Sequence, residues 1–108
     1  MTTVTLPWPP KELSPNARVH WTVAHKAKMA YKSACHLLML PDRRSIKGKK
    51  AFTVTFRPPD ARRRDRDNCI AQFKTGQDML SVFSCVDDRH FVMTYAFGEP
   101  FKGGAVIV

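Results

Sequence analysis

The chain has 108 residues, of which 44% are hydrophobic and 25% are charged, and its formal net charge is +9 at pH 7. This length predicts one domain with a single modest core, and the hydrophobic content excludes a disordered chain. Residues 1–74 hold 16 Lys and Arg against 5 Asp and Glu, while residues 75–108 hold 2 against 4, and so uneven a basic charge predicts a polyanionic partner, most simply nucleic acid.

The three cysteines, Cys35, Cys69 and Cys85, show no Cys-x-x-Cys spacing. Their odd number argues against a disulfide framework and against a structural zinc site. No segment reaches the length of an apolar membrane span, and the first residues lack a secretory signal pattern. We therefore expect a protein of the reducing cytoplasm, bacterial or phage-encoded, without a membrane partner.

The first half of the chain predicts a strand, a long helix and a second strand. Thr3–Leu6 alternates polar and apolar residues, and a proline-rich hook follows in which we interpret Trp8 as a packing plug. Trp21–Leu40 carries apolar residues three and four apart, which predicts a long helix, and Ala51–Phe56 alternates like a half-buried strand. The predicted buried stripe of the helix is Val23, Ala27, Ala30, Tyr31, Ala34, Leu37 and Leu38.

The second half predicts a helix followed by two strands. Asp67 has the position of an N-cap for this second helix, whose apolar positions are Ile70, Phe73, Leu80 and Phe83. His90–Phe97 and Ala105–Val108 read as strands, which we expect to pair as a hairpin. The order β-α-β-α-β-β predicts an α/β (α+β) domain, a small mixed sheet of about four strands covered by two helices.

The stretch from Arg62 to Asn68 interleaves four arginines with two aspartates. If Asp65-Arg66-Asp67 is extended, both carboxylates point to one side, an arrangement that suits Mg²⁺ or Mn²⁺. The neighbouring arginines would hold phosphates by forked hydrogen bonds. The alternative is a solvated loop of self-neutralising charges, with Asp67 acting only as a helix cap.

A second acidic pair, Asp87-Asp88, follows about twenty residues later. It can converge with Asp65 and Asp67 if the turn after the second helix returns beside the helix start. Carboxylates around Mg²⁺ amid arginines catalyse phosphodiester hydrolysis. The alternative from another class is a non-catalytic basic nucleic-acid-binding module, whose aspartates are caps and ion-pair partners.

Over most of its length the sequence resembles the RusA family of crossover-junction endodeoxyribonucleases, the Holliday junction resolvases of phages and prophages. The matching segments are Leu6-Pro7-Trp8-Pro9-Pro10, Ser14-Pro15-Asn16 with His20-Trp21, Arg63-Arg64-Asp65-Arg66-Asp67-Asn68, Lys74-x-x-x-Asp78-x-Leu80 and Asp87-Asp88. The resemblance implies that Asp65, Asp67 and Asp88 bind Mg²⁺, with Asp87 as an accessory. It also implies a homodimer that makes paired, symmetric nicks in branched DNA.

The chain departs from the family at the essential lysine, which usually comes three residues after the Asn. Ala71 stands at that place, and Lys74 follows one helical turn later on nearly the same face. Because Lys74 keeps the family spacing to Asp78 and Leu80, we predict that it is the catalytic equivalent; the alternative is an ordinary surface lysine.

Two further predictions concern the DNA and the dimer. The basic loop after the long helix either contacts DNA or only adds solubility. The predicted DNA-binding residues are Arg62, Arg63, Arg64, Arg66, Lys47, Lys49, Lys50, Asn16 and His20. For the dimer we expect the last two strands to offer surplus apolar residues, with Ala105–Val108 as a free sheet edge. Flaps or replication forks remain alternative substrates.

Overall fold

The computed structural model of the protein describes residues 3–62 and 64–108. Within them the strands are β1 (Thr5–Pro7), β2 (Ala51–Arg57), β3 (Val92–Phe97) and β4 (Ala105–Ile107). The helices are α1 (Trp21–Met39), α2 (Arg43–Ile46), α3 (Arg66–Gln72) and α4 (Lys74–Ser84), with short 3₁₀ turns at Lys11–Leu13, Leu40–Asp42 and Asp88–His90. The strands form one mixed sheet, which confirms the predicted α/β class.

The order of strands across the sheet is β1-β4-β2-β3. β2 and β3 are parallel, whereas β4 is antiparallel to both β1 and β2. The predicted hairpin of the last two strands is therefore wrong, and so is the predicted free edge, because β4 is a central strand. Ala105 and Val106 are almost fully buried, as suits an apolar strand that lies between two others.

The two faces of the sheet differ in character. Phe52, Val54 and Phe56 of β2 point into the core under the helices. The opposite face, described by the pairs Ala51 with Val92 and Thr53 with Thr94, is exposed and carries no charge at these positions. The side chains predicted as surplus for a dimer contact pack against the core instead or belong to it: Phe91, Met93, Tyr95, Phe97, Val106 and Val108.

The rotation of α1 differs from the predicted stripe. The helix buries Tyr31, Cys35 and Met39, while Leu37 is 68% exposed. The Tyr31 hydroxyl donates a hydrogen bond to the carbonyl oxygen of Pro7 at 2.7 Å. Tyr31 belongs to both the predicted and the observed buried face, and this bond gives its buried hydroxyl a partner. Val23 and Leu38, also predicted as buried, are exposed as well.

The predicted second helix is divided at Phe73 into α3 and α4. Phe73 has φ −86° and ψ 2°, and its ring is fully buried, edge-on to Phe56 at 5.8 Å between centroids. A Cβ on Gly76 would collide with the Phe73 ring. Glycine at position 76 weakens the helix locally, but its lack of a side chain leaves room for the Phe73 ring between α3 and α4.

Trp8 is the packing plug that its proline-rich surroundings predicted. Its ring lies edge-on to Phe56 at 6.1 Å and is half-buried. Gly104, at φ +76°, approaches Trp8 so closely that a Cβ there would clash with it. This contact ties the hook after β1 to the start of β4.

Candidate functional site

The Asp65 carboxylate caps α3. Its Oδ1 accepts hydrogen bonds from the backbone N–H of Asp67 at 2.9 Å and of Asn68 at 3.4 Å. The prediction that Asp67 is the cap is therefore wrong, because Asp65 is the last extended residue and its short side chain reaches the free N–H groups. Asp67 lies in the first turn, where the helix dipole favours a negative charge.

The extended geometry expected for Asp65-Arg66-Asp67 is not present, since Arg66 and Asp67 are helical. The two carboxylates are instead neighbours at a helix N-terminus, and both residues are exposed. Oxygen donors of this kind suit Mg²⁺, which takes one or two carboxylates and completes its shell with water and phosphate oxygens. The cap uses Oδ1 of Asp65, so Oδ2 lies outside it.

The chain doubles back along α4 after its last residue. The Ser81 hydroxyl donates to the carbonyl oxygen of Val86 at 2.7 Å, and the next turn brings Asp88 Oδ2 to 2.9 Å from Lys74 Nζ. Asp87 caps this turn by accepting from the Arg89 N–H at 3.1 Å. The predicted return occurs, but it reaches the start of α4 rather than the start of α3.

Lys74 holds a small ionic cluster. Besides Asp88, its ammonium lies 3.3 Å from Asp78 Oδ1. The hydrogen bond with Asp88 is the main cause that raises the pKa of Lys74, and the same bond lowers the pKa of Asp88. Lys74 is 60% exposed, so the cluster is open to solvent and contributes little to folding stability.

Among residues 3–62 and 64–108, no three or more His, Cys, Asp or Glu side chains are arranged to hold a metal ion. The convergence of Asp65, Asp67 and Asp88 stays a prediction.

The arginines of the Arg/Asp stretch have different surroundings. Arg64 is only 19% exposed: its guanidinium lies 3.0 Å from Asp60 Oδ1, donates to two backbone carbonyls and covers the Trp8 ring. Arg64 therefore braces its own loop, and its predicted contact with DNA stays a prediction. Arg62 and Arg66 are exposed, and Arg66 lies over the Phe97 ring; the predicted contact at Arg63 falls outside the described residues.

The basic loop with Lys47, Lys49 and Lys50 is exposed. The backbone N–H of Gly48 donates to the carbonyl oxygen of Ser84, the last residue of α4. Because α4 begins at Lys74 and has eleven residues, about 16 Å in length, Gly48 lies at the opposite end of this helix from Lys74. At the other end of the loop, the carbonyl oxygen of Lys50 accepts a hydrogen bond from the N–H of Val92, four residues after Asp88.

Two more predicted DNA contacts lie around the start of α1. His20 is exposed and caps the helix: its Nδ1 lies 3.2 Å from the Thr22 N–H and 2.7 Å from the Thr22 hydroxyl oxygen. Asn16 is also exposed, and its backbone N–H donates to the Ser14 hydroxyl oxygen. The His20 ring therefore has a local structural task, while the Asn16 side chain faces solvent.

Sequence reasoning missed the neighbours of Lys74. Asp78 follows it by one helical turn, a spacing that could have predicted their contact. The Tyr95 hydroxyl donates to Gln77 Oε1 at 3.0 Å, and the charge of Lys74 opposes the burial that raises the Tyr95 pKa. No pattern in the sequence predicts the contact between Tyr95 and Gln77, because Tyr95 lies on β3, which pairs with β2.

No family model matches the sequence. An uncharacterized protein of Xylella fastidiosa (strain Temecula1 / ATCC 700964) is 40% identical to it over 101 residues, covering 85% of this chain. The match covers 63% of that curated relative's length. None of the helices in the described residues combines the length and apolar character required to cross a membrane.

Proposed function

We propose that this chain is a Mg²⁺-dependent DNA endonuclease that resolves four-way junctions by phosphodiester hydrolysis, as its resemblance to RusA resolvases implies. The supporting observation is the contact between Lys74 and Asp88 at 2.9 Å. These two residues are fourteen positions apart, and each was assigned to catalysis on its motif alone. Their contact in the fold is what a shared site requires.

Asp65 and Asp67 are the residues that would hold the metal ion. Both are exposed carboxylates at one helix end, and this donor set fits a Mg²⁺ that keeps several waters. When bound, such an ion activates water and stabilises the leaving oxygen of a phosphodiester. Asp88 remains a predicted ligand, although here it pairs with Lys74.

The cationic side chains would bind and orient the DNA. The exposed Lys74 ammonium is suited to hold the oxygens of the reacting phosphate as negative charge builds up on them. Arg62 and Arg66, near the aspartates in sequence, would draw in the backbone. The loop lysines, at the far end of α4, would contact a more distant part of the same DNA.

A homodimer would supply the two cuts that junction resolution needs, because a two-fold axis presents two identical sites. The outer face of the sheet, with Thr53, Val92 and Thr94, supports this part of the proposal. It is exposed and uncharged at these positions, so two chains of formal charge +9 could meet there without opposing like charges.

A cleavage assay on a panel of four-way, forked, flapped and linear DNA, with and without Mg²⁺, tests the proposal. We expect Mg²⁺-dependent paired nicks in the four-way junction, their loss in Asp67→Asn, and a dimer mass by light scattering. Equal cutting of forks or flaps would leave the nuclease chemistry standing and reassign the substrate. A monomer that binds junction and linear duplex equally would contradict the dimer.

A second candidate is the non-catalytic nucleic-acid-binding module. Two observations favour it: Asp65 caps a helix and Asp88 pairs with a lysine, which are the structural tasks that this alternative assigns to the aspartates. The same assay separates the two functions. Tight, salt-dependent binding of DNA with no cleavage of any substrate at any Mg²⁺ or Mn²⁺ concentration would select the binding module.

A further inference from the structure

Asp78 makes the second contact of the Lys74 ammonium, and the proposed chemistry gives it no task. Lys74 Nζ lies 3.3 Å from Asp78 Oδ1 and 2.9 Å from Asp88 Oδ2. The two carboxylates reach the ammonium from different parts of the fold. Asp78 is one turn further along α4, whereas Asp88 comes from the turn that follows the helix.

Helix stability does not account for the pairing of Lys74 with Asp78. Lys74 is the first residue of α4, where the positive end of the helix dipole disfavours a cation. An i,i+4 ion pair is also weaker when the cation is on the N-terminal side. Both side chains are substantially exposed, at 60% and 47%, so their attraction is screened by water. The contact is better explained as one that fixes the position of the Lys74 ammonium.

The backbone under this pair is firmly held. Phe73, directly before Lys74, is fully buried, and its ring is wedged beside Gly76. Met79, directly after Asp78, is 3% exposed. Movement within the cluster is therefore limited to the side chains. Two carboxylates restrict the Lys74 side chain more than one does.

The carboxylates of Asp78 and Asp88 differ in whether a metal ion would compete with Lys74 for them. A divalent cation that approached Asp88 would compete with Lys74 for the same carboxylate. Asp78 lies on the same helix as Lys74, so its contact requires neither Asp88 nor the turn after α4. Asp78 can therefore hold the Lys74 ammonium in place when a divalent cation binds Asp88.

We propose that Asp78 is a positioning residue, which holds the Lys74 ammonium toward the scissile phosphate when a divalent cation engages Asp88. The inference rests on the proposed function, because it assumes that Lys74 acts on a phosphate. Asp78 itself would touch neither DNA nor metal. Its substitution should therefore change the rate of cleavage and leave the affinity for DNA almost unaltered.

The kinetic test compares Asp78→Asn, Asp78→Glu and wild type in single-turnover cleavage of a four-way junction at saturating enzyme. We expect Asp78→Asn to lower the saturated rate about tenfold, since a misplaced catalytic group costs between one and two orders of magnitude. Junction affinity should stay within about twofold, and Asp78→Glu should restore most of the rate because it keeps the charge. Glu99→Gln, which removes one exposed negative charge on the β3–β4 connection, is the matched control.

A second readout does not need cleavage. The order parameter of the Lys74 ammonium, measured by ¹⁵N NMR on the free protein, reports how tightly the group is held. With saturating Mg²⁺ we expect it to stay high in wild type and to fall in Asp78→Asn. An unchanged order parameter in Asp78→Asn with Mg²⁺, or an ammonium that becomes mobile in wild type when Mg²⁺ is added, would overturn the proposal.

The two readouts keep the proposals separable. If wild type cuts no DNA, the nuclease proposal fails, and the NMR result still decides whether Asp78 holds Lys74. If wild type cuts and Asp78→Asn cuts at the same saturated rate, the positioning role fails and the nuclease proposal stands. A loss of rate that Asp78→Glu does not restore also counts against positioning.

Discussion

Asp65 and Asp88 are held in the fold by different kinds of interaction. Asp65 is fixed by its own stretch of backbone, since its carboxylate accepts from N–H groups two and three residues later. Asp88 is fixed by Lys74, fourteen residues earlier, and this contact exists only once α4 and the following turn have folded. A local cap persists through changes elsewhere, whereas a tertiary ion pair depends on the packing of α4. Substitutions at the two places should therefore differ in their effects on activity and on stability.

The largest effect is expected on cleavage when a carboxylate loses its charge. Asp65→Asn, Asp67→Asn and Asp88→Asn should each abolish nicking of a four-way junction in Mg²⁺, because the carboxylates hold the metal in the proposed function. DNA binding, measured by gel shift, should be unchanged or tighter, since a negative charge is removed.

Asparagine caps helices about as well as aspartate, so Asp65→Asn should keep the native circular dichroism spectrum. Any of the three variants that cuts at the wild-type rate is not part of the site. If only Asp88→Asn remains active, Asp88 has a structural role and no catalytic one. Asp65 and Asp88 would then differ in function as well as in how they are held.

Lys74→Ala should lower the saturated single-turnover rate about a hundredfold, which is typical for the loss of one group that stabilises transition-state charge. Junction affinity should change little by comparison. Lys102→Ala removes an exposed lysine before β4 and serves as the control. A variant in which affinity alone falls would show that Lys74 is not the equivalent of the family's essential lysine.

A stability measurement sharpens the comparison further. Asp65→Ala should lower the free energy of unfolding by about 1 kcal/mol, the usual effect of losing an N-cap, while Asp65→Asn should have almost no effect. Asp88→Ala should cost less than Asp65→Ala, because its partner is exposed. Urea denaturation checks all three, and an equal loss from Asp65→Asn and Asp65→Ala would mean that the cap is not what Asp65 contributes.

The smallest effect is expected at the basic loop. Lys47→Ala, Lys49→Ala and Lys50→Ala should each reduce the dependence of log affinity on log salt by about 0.9 for every phosphate that the variant no longer neutralises. The saturated cleavage rate should stay the same, because in the proposed function these lysines add only affinity for the DNA. Fluorescence anisotropy over a range of salt concentrations measures this slope, and a slope unchanged in all three variants would assign the loop to solubility.

Local sequence patterns predicted much of this protein. The alternation in Ala51–Phe56 became β2, the spacing from Trp21 onward became α1, and the residues around Trp8 indicated its role as a plug. Such patterns succeed because periodicity and proline content act on neighbouring residues, whatever the remainder of the chain does. The presence of an acidic helix start near residue 65 was visible in the same way, although the capping residue was misplaced by two.

Long-range packing decided the rest. The place of β4 between β1 and β2 is a long-range strand pairing, and the sequence signals of two neighbouring strands equally suit a hairpin. The break at Phe73 follows from its ring entering the core beside Phe56. This is a contact between the helical layer and the sheet, which helical spacing does not encode. For the same reason the meeting of Lys74 with Asp88 was set by the tertiary structure: ion-pair partners fourteen residues apart are selected by the path of the folded backbone, and only the identity of the charged groups is written in the sequence.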